Sequence, residues 1–331
     1  FRYENTLFEH QEASFLHSAG MLVGAVKHLS DTERDQIKIE LISNEALKTS
    51  EIEGEILDRE SVQSSVRKQF GLQADPKRIL PAEQGIAEMM VHLYRTFDAP
   101  LAHATLFEWH RMLSSGRRDL KDIGRYRTHA DAMQVVFGAL HKPKVHFEAP
   151  SSTAVPEEME RFIAWFNRTC PGGQEPLPAL ARSGIAHLYF VSIHPFEDGN
   201  GRVGRAIAEK SLAQSLGLPT LIALADTIER RRKGYYGALE QVNKTNAVTP
   251  WLLWFADMVM AAQRYTQLRI EFLIEKAKLL DRLRNLLSPR QEKALLRMLR
   301  EGPDGFKGGM TAEKYIAITG AARATATRDL Q

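Results

Sequence analysis

Residues 194–205 read His-Pro-Phe-Glu-Asp-Gly-Asn-Gly-Arg-Val-Gly-Arg and bring several kinds of reactive side chain into one short stretch. His194 has the side chain whose unperturbed pKa lets it accept a proton near neutral pH. Asp198 offers a hard oxygen ligand, which suits Mg²⁺ held jointly by one carboxylate and by substrate phosphates. Together, the two side chains predict a base and a metal ligand in a single site.

The remaining polar residues of this stretch have the chemistry of an anion site. Gly199 and Gly201 lack a Cβ, so their backbone can adopt positive φ and approach a ligand closely. Successive N–H groups in such a turn, together with the positive end of a following helix, attract phosphate. Asn200 can donate from its amide, and Arg202 and Arg205 would share one face of a helix. The stretch therefore predicts a phosphate site beside a base.

The surrounding sequence indicates which elements position this site. Apolar residues lead into it, namely Ile185, Leu188, Tyr189, Phe190 and Ile193. Their spacing predicts a helix before His194, and the arginine spacing predicts a second helix after the glycines. The expected local structure is therefore a helix, a phosphate-binding loop and another helix.

The segment matches the signature of the Fic family, H-x-F-x-[D/E]-G-N-G-R-x-x-R, at every fixed position. The chain therefore resembles proteins that transfer part of a nucleotide, most often AMP from ATP, to a hydroxyl side chain of a target protein. The resemblance implies that His194 deprotonates the target hydroxyl. It also implies that Asp198 holds the Mg²⁺ that bridges the α- and β-phosphates.

The resemblance assigns the other positions of the motif to the phosphates. Asn200 and the backbone of Gly199 and Gly201 would hold the α-phosphate, Arg202 the β-phosphate region and Arg205 the γ-phosphate. Some relatives with a larger residue at the second glycine phosphorylate their targets instead. Gly201 keeps the AMP-transferring pattern.

A second motif lies upstream and reads Thr-Ser-Glu-Ile-Glu-Gly over residues 49–54. It resembles the family's inhibitory signature, [S/T]-x-x-x-E-[G/N], whose glutamate pairs with the second motif arginine and takes the place of the γ-phosphate. The pair here would be Glu53 and Arg205. Apolar residues at helical spacing before the motif predict an amphipathic helix that ends near Gly54.

Two further blocks carry expectations about ligands. Tyr235, Tyr236 and Asn243 resemble the family's adenine pocket, although tyrosines on a helix are also ordinary core residues. Between the two motifs, short β-prone runs predict a hairpin. The resemblance makes it a flap that pairs with the backbone of the target, with a plain structural hairpin as the alternative. The flap residues expected to dock the target are Met133, Gln134, Val135 and Val136.

Composition is that of an intracellular globular enzyme: 331 residues, 44% hydrophobic and 26% charged, with a net charge of +3. Cys170 is the single cysteine, so an internal disulfide is excluded. We expect a cytoplasmic location and no contact with a membrane, because the sequence shows neither a signal peptide nor a membrane-spanning run.

The fold class we expect is mainly α: a Fic-type helical core with a β-hairpin flap. The expected divisions are an N-terminal helical domain over residues 1–75, a catalytic core over 80–260, a connecting helix over 261–287, and a tail over 288–331. The tail resembles an incomplete winged helix. Its basic residues exceed its acidic residues by three, which is a weak nucleic-acid signal.

Taken together, these features predict an autoinhibited protein adenylyltransferase that uses ATP and Mg²⁺. Its target would be another protein or the chain itself, and homodimer formation is a further expectation. One alternative is the reverse reaction, removal of AMP with Glu53 as a catalytic residue. The other is a DNA-binding regulator that uses the core as a nucleotide sensor.

Overall fold

A computed structural model describes residues 1–27, 29–74, 79–130, 133–137, 144–219, 222–242 and 246–331. The chain divides into two compact units, Phe1–Gln263 and Arg264–Gln331. The structure is mainly helical, as expected. Within the described residues, no helix combines the length and the apolar character needed to cross a membrane.

The first unit contains the helices that build the motif's surroundings. They are α1 (Glu9–Lys27), α2 (Asp31–Ile52), α3 (Arg59–Gln69), α4 (Pro81–Arg95), α5 (His103–Leu113), α6 (Val155–Arg168), α7 (Ala179–Ile193), α8 (Asn200–Leu216), α9 (Leu224–Arg230) and α10 (Arg232–Val242). Two short strands, β1 (Gln134–Phe137) and β2 (Lys144–Glu148), pair antiparallel between α5 and α6. The use of these strands as a target-docking flap stays a prediction.

The α7 and α8 pair forms the centre of the first unit. Most residues of both helices are buried, and helices that are buried on all sides belong to a core. The charged residues of α8 are buried with it, so each needs a partner or a ligand. Lys210 has a structural partner, because its ammonium donates to the carbonyls of Thr96 and Phe97 at 2.6 and 3.0 Å.

Helix α2 brings residues 49–54 to the start of α8. Ser30 and Glu33 form a capping box that fixes the beginning of this helix. Further along, Glu45 accepts the Ala225 N–H at 2.7 Å and so anchors α2 to the first turn of α9. Helix α2 ends at Ile52 with Glu53 as its C-cap, which confirms the predicted helix end near Gly54.

The helix α11 (Thr249–Arg282) belongs in sequence to both units. The prediction that it reaches Leu287 was wrong. It ends at Arg282, and Asn285 soon afterwards has a left-handed backbone, with φ of 65°, that cannot continue a right-handed helix.

The second unit contains α12 (Pro289–Leu299), α13 (Ala312–Thr319) and α14 (Arg323–Asp329). A small cluster of Ala294, Tyr315 and Ala326 holds them together, and the Tyr315 hydroxyl donates to Asp329 at 2.8 Å. Every residue of this unit is described and none lies in a strand. Its resemblance to a winged helix stays a prediction.

Candidate active site

His194 lies at the point where α7 ends and the motif loop begins. Its backbone is left-handed, with φ of 51° and ψ of 58°, which turns the chain sharply out of the helix. Its imidazole Nδ1 lies 3.3 Å from the carbonyl oxygen of Val191. Because a carbonyl oxygen only accepts, this contact places the ring proton on Nδ1. Nε2 is then the nitrogen available to accept a proton.

The surroundings of His194 keep its imidazole neutral. Its pKa is lowered to about 4, with burial as the main cause. The hydrogen bond with the Val191 carbonyl opposes this lowering, whereas the nearby Arg127 guanidinium contributes to it. The carboxylates of Glu53 and Asp198 act in the opposite direction. At neutral pH the side chain is therefore in the state that a general base requires.

The loop between α7 and α8 is shaped by its own side chains. Phe196 is buried and stacks on His110 of α5, with ring centroids 4.2 Å apart. The Asn200 amide oxygen accepts the Phe196 N–H at 3.0 Å, and its nitrogen donates to the Phe196 carbonyl at 2.8 Å. Gly199 has φ of 80°, a conformation that favours glycine. This confirms the predicted order of helix, loop and helix. A contact of the Asn200 amide with phosphate stays a prediction.

The second motif arginine contacts residues of the 49–54 motif directly. Arg205 Nε donates to the Thr49 hydroxyl at 2.7 Å, and Nη2 donates to the Thr49 carbonyl at 2.8 Å. Nη2 also lies 2.8 Å from Glu53 Oε1. The pairing of Glu53 with Arg205 that the resemblance implies is therefore present. Its role in inhibition stays a prediction.

The first motif arginine has acidic partners as well. Arg202 Nη1 lies 2.6 Å from Glu55 Oε2, and Nη2 lies 3.5 Å from Asp198 Oδ2. Glu55 was missed by the sequence reasoning. Its spacing of two residues from Glu53, just beyond the end of a helix, was a signal that could have suggested a second contact.

Two observations show that an anion fits this site. Arg202 Nε and Arg205 Nη1 are buried and have no hydrogen-bond partner among the described residues, so both donors are available to a ligand. A Cβ placed on Gly201 would lie 2.2 Å from Glu53 Oε1. The start of α8 thus accepts a negatively charged oxygen close against its backbone, where helix N–H groups attract phosphate.

Asp198 has the properties of a single carboxylate ligand. Burial alone would raise its pKa, but Arg202, the Gly199 N–H and Arg117 together hold the pKa below its usual value. Arg117 Nη1 lies 2.6 Å from Asp198 Oδ2. No group of three or more acidic, histidine or cysteine side chains suited to a metal occurs among the described residues. One carboxylate beside phosphates fits Mg²⁺, which prefers few protein ligands.

A segment after α5 supports the loop from outside and was not recognised from the sequence as part of the site. The Glu197 carboxylate accepts the N–H groups of Lys121 and Asp122 at 2.7 and 2.8 Å. Arg127 Nε donates to the His194 carbonyl at 2.8 Å. The sequence Gly-Arg-Tyr-Arg-Thr over residues 124–128 was the available signal, but only the tertiary structure brings it to the motif.

Comparisons with known proteins agree with this geometry. Residues 100–212 match the Fic/DOC family, and residues 1–72 match a domain of unknown function, DUF4172. The chain carries a Fic/DOC family domain. The motif loop and all of its residues named above lie inside that match.

Curated relatives of the Fic domain are named as protein adenylyltransferases. The chain is 31% identical to protein adenylyltransferase fic-1 of Caenorhabditis elegans over 161 residues, which is 48% of this chain and 28% of the relative. It is 29% identical to a probable protein adenylyltransferase of Aquifex aeolicus over 110 residues, 33% of this chain and 29% of the relative. The chain thus spans less than a third of these relatives' length.

Solved structures share the fold. A Fic family protein from Desulfovibrio desulfuricans aligns with a TM-score of 0.57 at 20% identity, covering 96% of this chain and 87% of that one. A Fic-domain-containing signalling protein from Bacteroides thetaiotaomicron aligns with a TM-score of 0.58 at 17% identity, covering 81% and 98%. At these identities the likeness shows a common fold.

The Fic domain's expected adenine pocket is described only in part. Tyr235 is buried, and its hydroxyl lies 2.8 Å from His187 Nε2, within the core. Tyr236 is half-buried beside it, with ring centroids 5.0 Å apart. Asn243 lies outside the described residues. A contact of these residues with adenine stays a prediction.

The flap residues expected to dock a target lie at the first strand. The Met133 carbonyl accepts the Ala149 N–H at 2.9 Å, which closes the base of the hairpin. Gln134, Val135 and Val136 belong to β1, and Gln134 pairs with Glu148. Their docking role stays a prediction.

Proposed function

We propose that this protein transfers AMP from ATP to a hydroxyl side chain of a protein target, either another protein or itself. The observation that carries the proposal is the position of a neutral His194 beside the start of α8, where Arg202 and Arg205 each hold an unpartnered, buried N–H group. The adenylyltransferase names of the curated relatives support the same reaction.

In the proposed step, His194 Nε2 takes the proton of the target hydroxyl as its oxygen attacks the α-phosphorus of ATP. The new O–P bond forms while the bond from the α-phosphorus to the bridging oxygen breaks, and pyrophosphate leaves with the electron pair. The backbone N–H group at Gly201 and both arginines stabilise the negative charge that develops. The Gly199 N–H now donates to Asp198 at 2.7 Å and would have to leave that carboxylate to join them. A base so placed contributes roughly 100- to 10,000-fold.

Asp198 is the residue that would hold Mg²⁺. When bound, the ion would neutralise charge on the α- and β-phosphates. Arg117, now 2.6 Å from Asp198, would have to release this carboxylate oxygen or share it.

We further propose that Glu53 inhibits the reaction by occupying the place of the γ-phosphate on Arg205. The pair is only partly exposed, with 4% of the Arg205 side chain and 30% of the Glu53 side chain accessible. A γ-phosphate can therefore reach Arg205 only by displacing the Glu53 carboxylate.

The test is labelling of protein by ATP that carries its label on the α-phosphate, in a cell lysate with Mg²⁺. Wild-type protein, Glu53→Gly and Glu53→Gly/His194→Ala are compared, with ATP affinity measured for each. We expect label on protein with Glu53→Gly, little with wild type and none with the double variant, which should still bind ATP. Label that persists in the double variant would contradict the role of His194.

Hydrolytic removal of AMP is a second candidate function, because Glu53 places a carboxylate in the phosphate site where it could orient a water molecule. In that case Glu53→Gly would lose activity on AMP-modified protein instead of gaining transfer. Homodimer formation, a cytoplasmic location and DNA contact by residues 288–331 stay predictions.

A further inference from the structure

Arg127 is a buried cation whose hydrogen bonds converge on the catalytic turn. It is 1% exposed. Its Nε donates to the His194 carbonyl at 2.8 Å, and its backbone N–H donates to the Pro195 carbonyl at 2.9 Å. Its Nη2 donates to the carbonyl of Pro150. One residue therefore binds the two consecutive carbonyl groups, of His194 and Pro195, that follow α7.

The turn needs such support because its backbone conformation is unfavourable. His194 and Asn285 are the two non-glycine residues with positive φ in the described part of the chain. A left-handed backbone brings Cβ too close to the carbonyl oxygen, so it persists where surrounding contacts impose it. His194 is itself the residue with the left-handed backbone, so the conformation of the turn sets the direction in which its imidazole points.

The third bond of Arg127 connects the turn to the hairpin. Pro150 follows β2 by two residues, and the neighbouring Ala149 N–H closes the base of the hairpin on Met133. The guanidinium therefore binds both the segment that follows β2 and the turn that carries His194, through two of its nitrogen atoms.

We propose that Arg127 is a positioning residue for His194, holding the turn that aims the imidazole and fixing that turn to the base of the β1–β2 hairpin. The proposal rests on the proposed function in that it takes His194 as the base. A purely structural buried arginine is the competing explanation, and the chain contains one for comparison. Arg182 is buried and donates to the Phe166 carbonyl and the Ser211 hydroxyl, away from the motif turn.

The experiment compares Arg127→Gln and Arg127→Lys with Arg182→Gln, each in the full chain and in the Glu53→Gly background. The pKa of His194 is read from protein with labelled histidine rings by NMR, with His194→Gln identifying its signal. ATP affinity, thermal unfolding and the rate of AMP transfer per folded molecule are measured alongside.

We expect Arg127→Gln to raise the pKa of His194 above about 4, because a nearby positive charge is lost. Transfer should fall about 100-fold, as misplaced catalytic groups typically cost, with ATP affinity within about twofold. Arg127→Lys should restore part of the rate, since it keeps the charge but not the planar fork. Arg182→Gln should lower the unfolding temperature without changing the pKa of His194 or the transfer rate per folded molecule.

A folded Arg127→Gln with an unchanged His194 titration and an unchanged transfer rate would overturn the proposal. If that variant does not fold, Arg127→Lys decides the matter by the transfer rate, because lysine keeps the charge but cannot make the bonds of the planar fork: a rate equal to that of the parent protein would overturn the proposal. The NMR titration also separates this inference from the proposed function. A protein that transfers no AMP in any background still reports whether Arg127 controls the His194 side chain.

Discussion

The carboxylate of Glu53 lies 2.8 Å from Nη2 of Arg205, and a Cβ at residue 201 would lie 2.2 Å from Glu53 Oε1, so Gly201 leaves room for the carboxylate in this position. The Glu53 carboxylate thus lies directly against the start of α8, where the proposed phosphate site is. The Glu53 carboxylate and a γ-phosphate are both negatively charged and would accept hydrogen bonds from the same donors. Binding of one should therefore exclude binding of the other.

Removing Glu53 is expected to increase AMP transfer. Glu53→Gly should raise the initial rate about tenfold or more, because coupling between competing ligands typically amounts to 1–3 kcal/mol. The rate is followed with α-labelled ATP. Glu51→Gln is the matched control, since Glu51 lies on the same helix end but pairs with Lys48 at 2.7 Å. Equal rates for the two variants would contradict inhibition by Glu53.

Glu55 is expected to act as a second competitor, on Arg202. Arg202 is 7% exposed in its side chain and its contact with Glu55 is 2.6 Å. Glu55→Gln should tighten ATP binding about fivefold, as the loss of a partly exposed pair is worth up to about 1 kcal/mol. Calorimetric titration of each variant with ATP measures the change in affinity. Weaker ATP binding in this variant would mean that Glu55 orients Arg202 for the nucleotide instead of blocking it.

Arg117 is expected to compete with Mg²⁺ for Asp198. Arg117→Gln should lower the Mg²⁺ concentration needed for half-maximal ATP binding by about fivefold, because the pair is partly exposed and so modest in strength. The neighbouring, exposed Arg118 supplies the control Arg118→Gln. A higher Mg²⁺ requirement in Arg117→Gln would show that the arginine helps to bind the nucleotide.

Mild acid is expected to destabilise the first unit. Burial lowers the pKa of His110, His187 and His194 to about 4 each. An unfolded histidine titrates near its usual 6.5, so the unfolded chain binds more protons between these values. The stability from each neutral histidine is therefore complete above about pH 6.5 and is lost as the pH falls toward 4.

The size of this effect is about 2 kcal/mol per histidine between about pH 7 and about pH 5. Glu209 acts in the opposite direction, because burial and the neighbouring Glu45 raise its pKa, so the net loss is smaller than the sum over the three histidines. Urea unfolding midpoints at the two pH values measure this change in the free energy of unfolding. His187→Gln should show a smaller difference, and a wild-type midpoint independent of pH would exclude this linkage.

The sequence allowed prediction of the features that depend on local pattern. The helix, loop and helix around residues 194–205 and the end of α2 near Gly54 were predicted correctly, because periodicity and glycine placement are local signals. The pairing of Glu53 with Arg205 came from the resemblance. The contacts of Glu55, Arg117 and Arg127 were not predicted. They join residues separated by 147, 81 and 67 positions, and no local pattern encodes such a distance.

The anchorage of α2 has a consequence for how activation would occur. Glu45, about two helical turns before Glu53, is fixed to α9, and Thr49 is bound to Arg205 through both its hydroxyl and its carbonyl. The helix itself is therefore held at two points within about two turns before Glu53, whereas the Glu53 side chain is 30% accessible and held by one ion pair. Activation would then be a rotamer change on a stationary helix, with a low barrier and fast exchange between closed and open states.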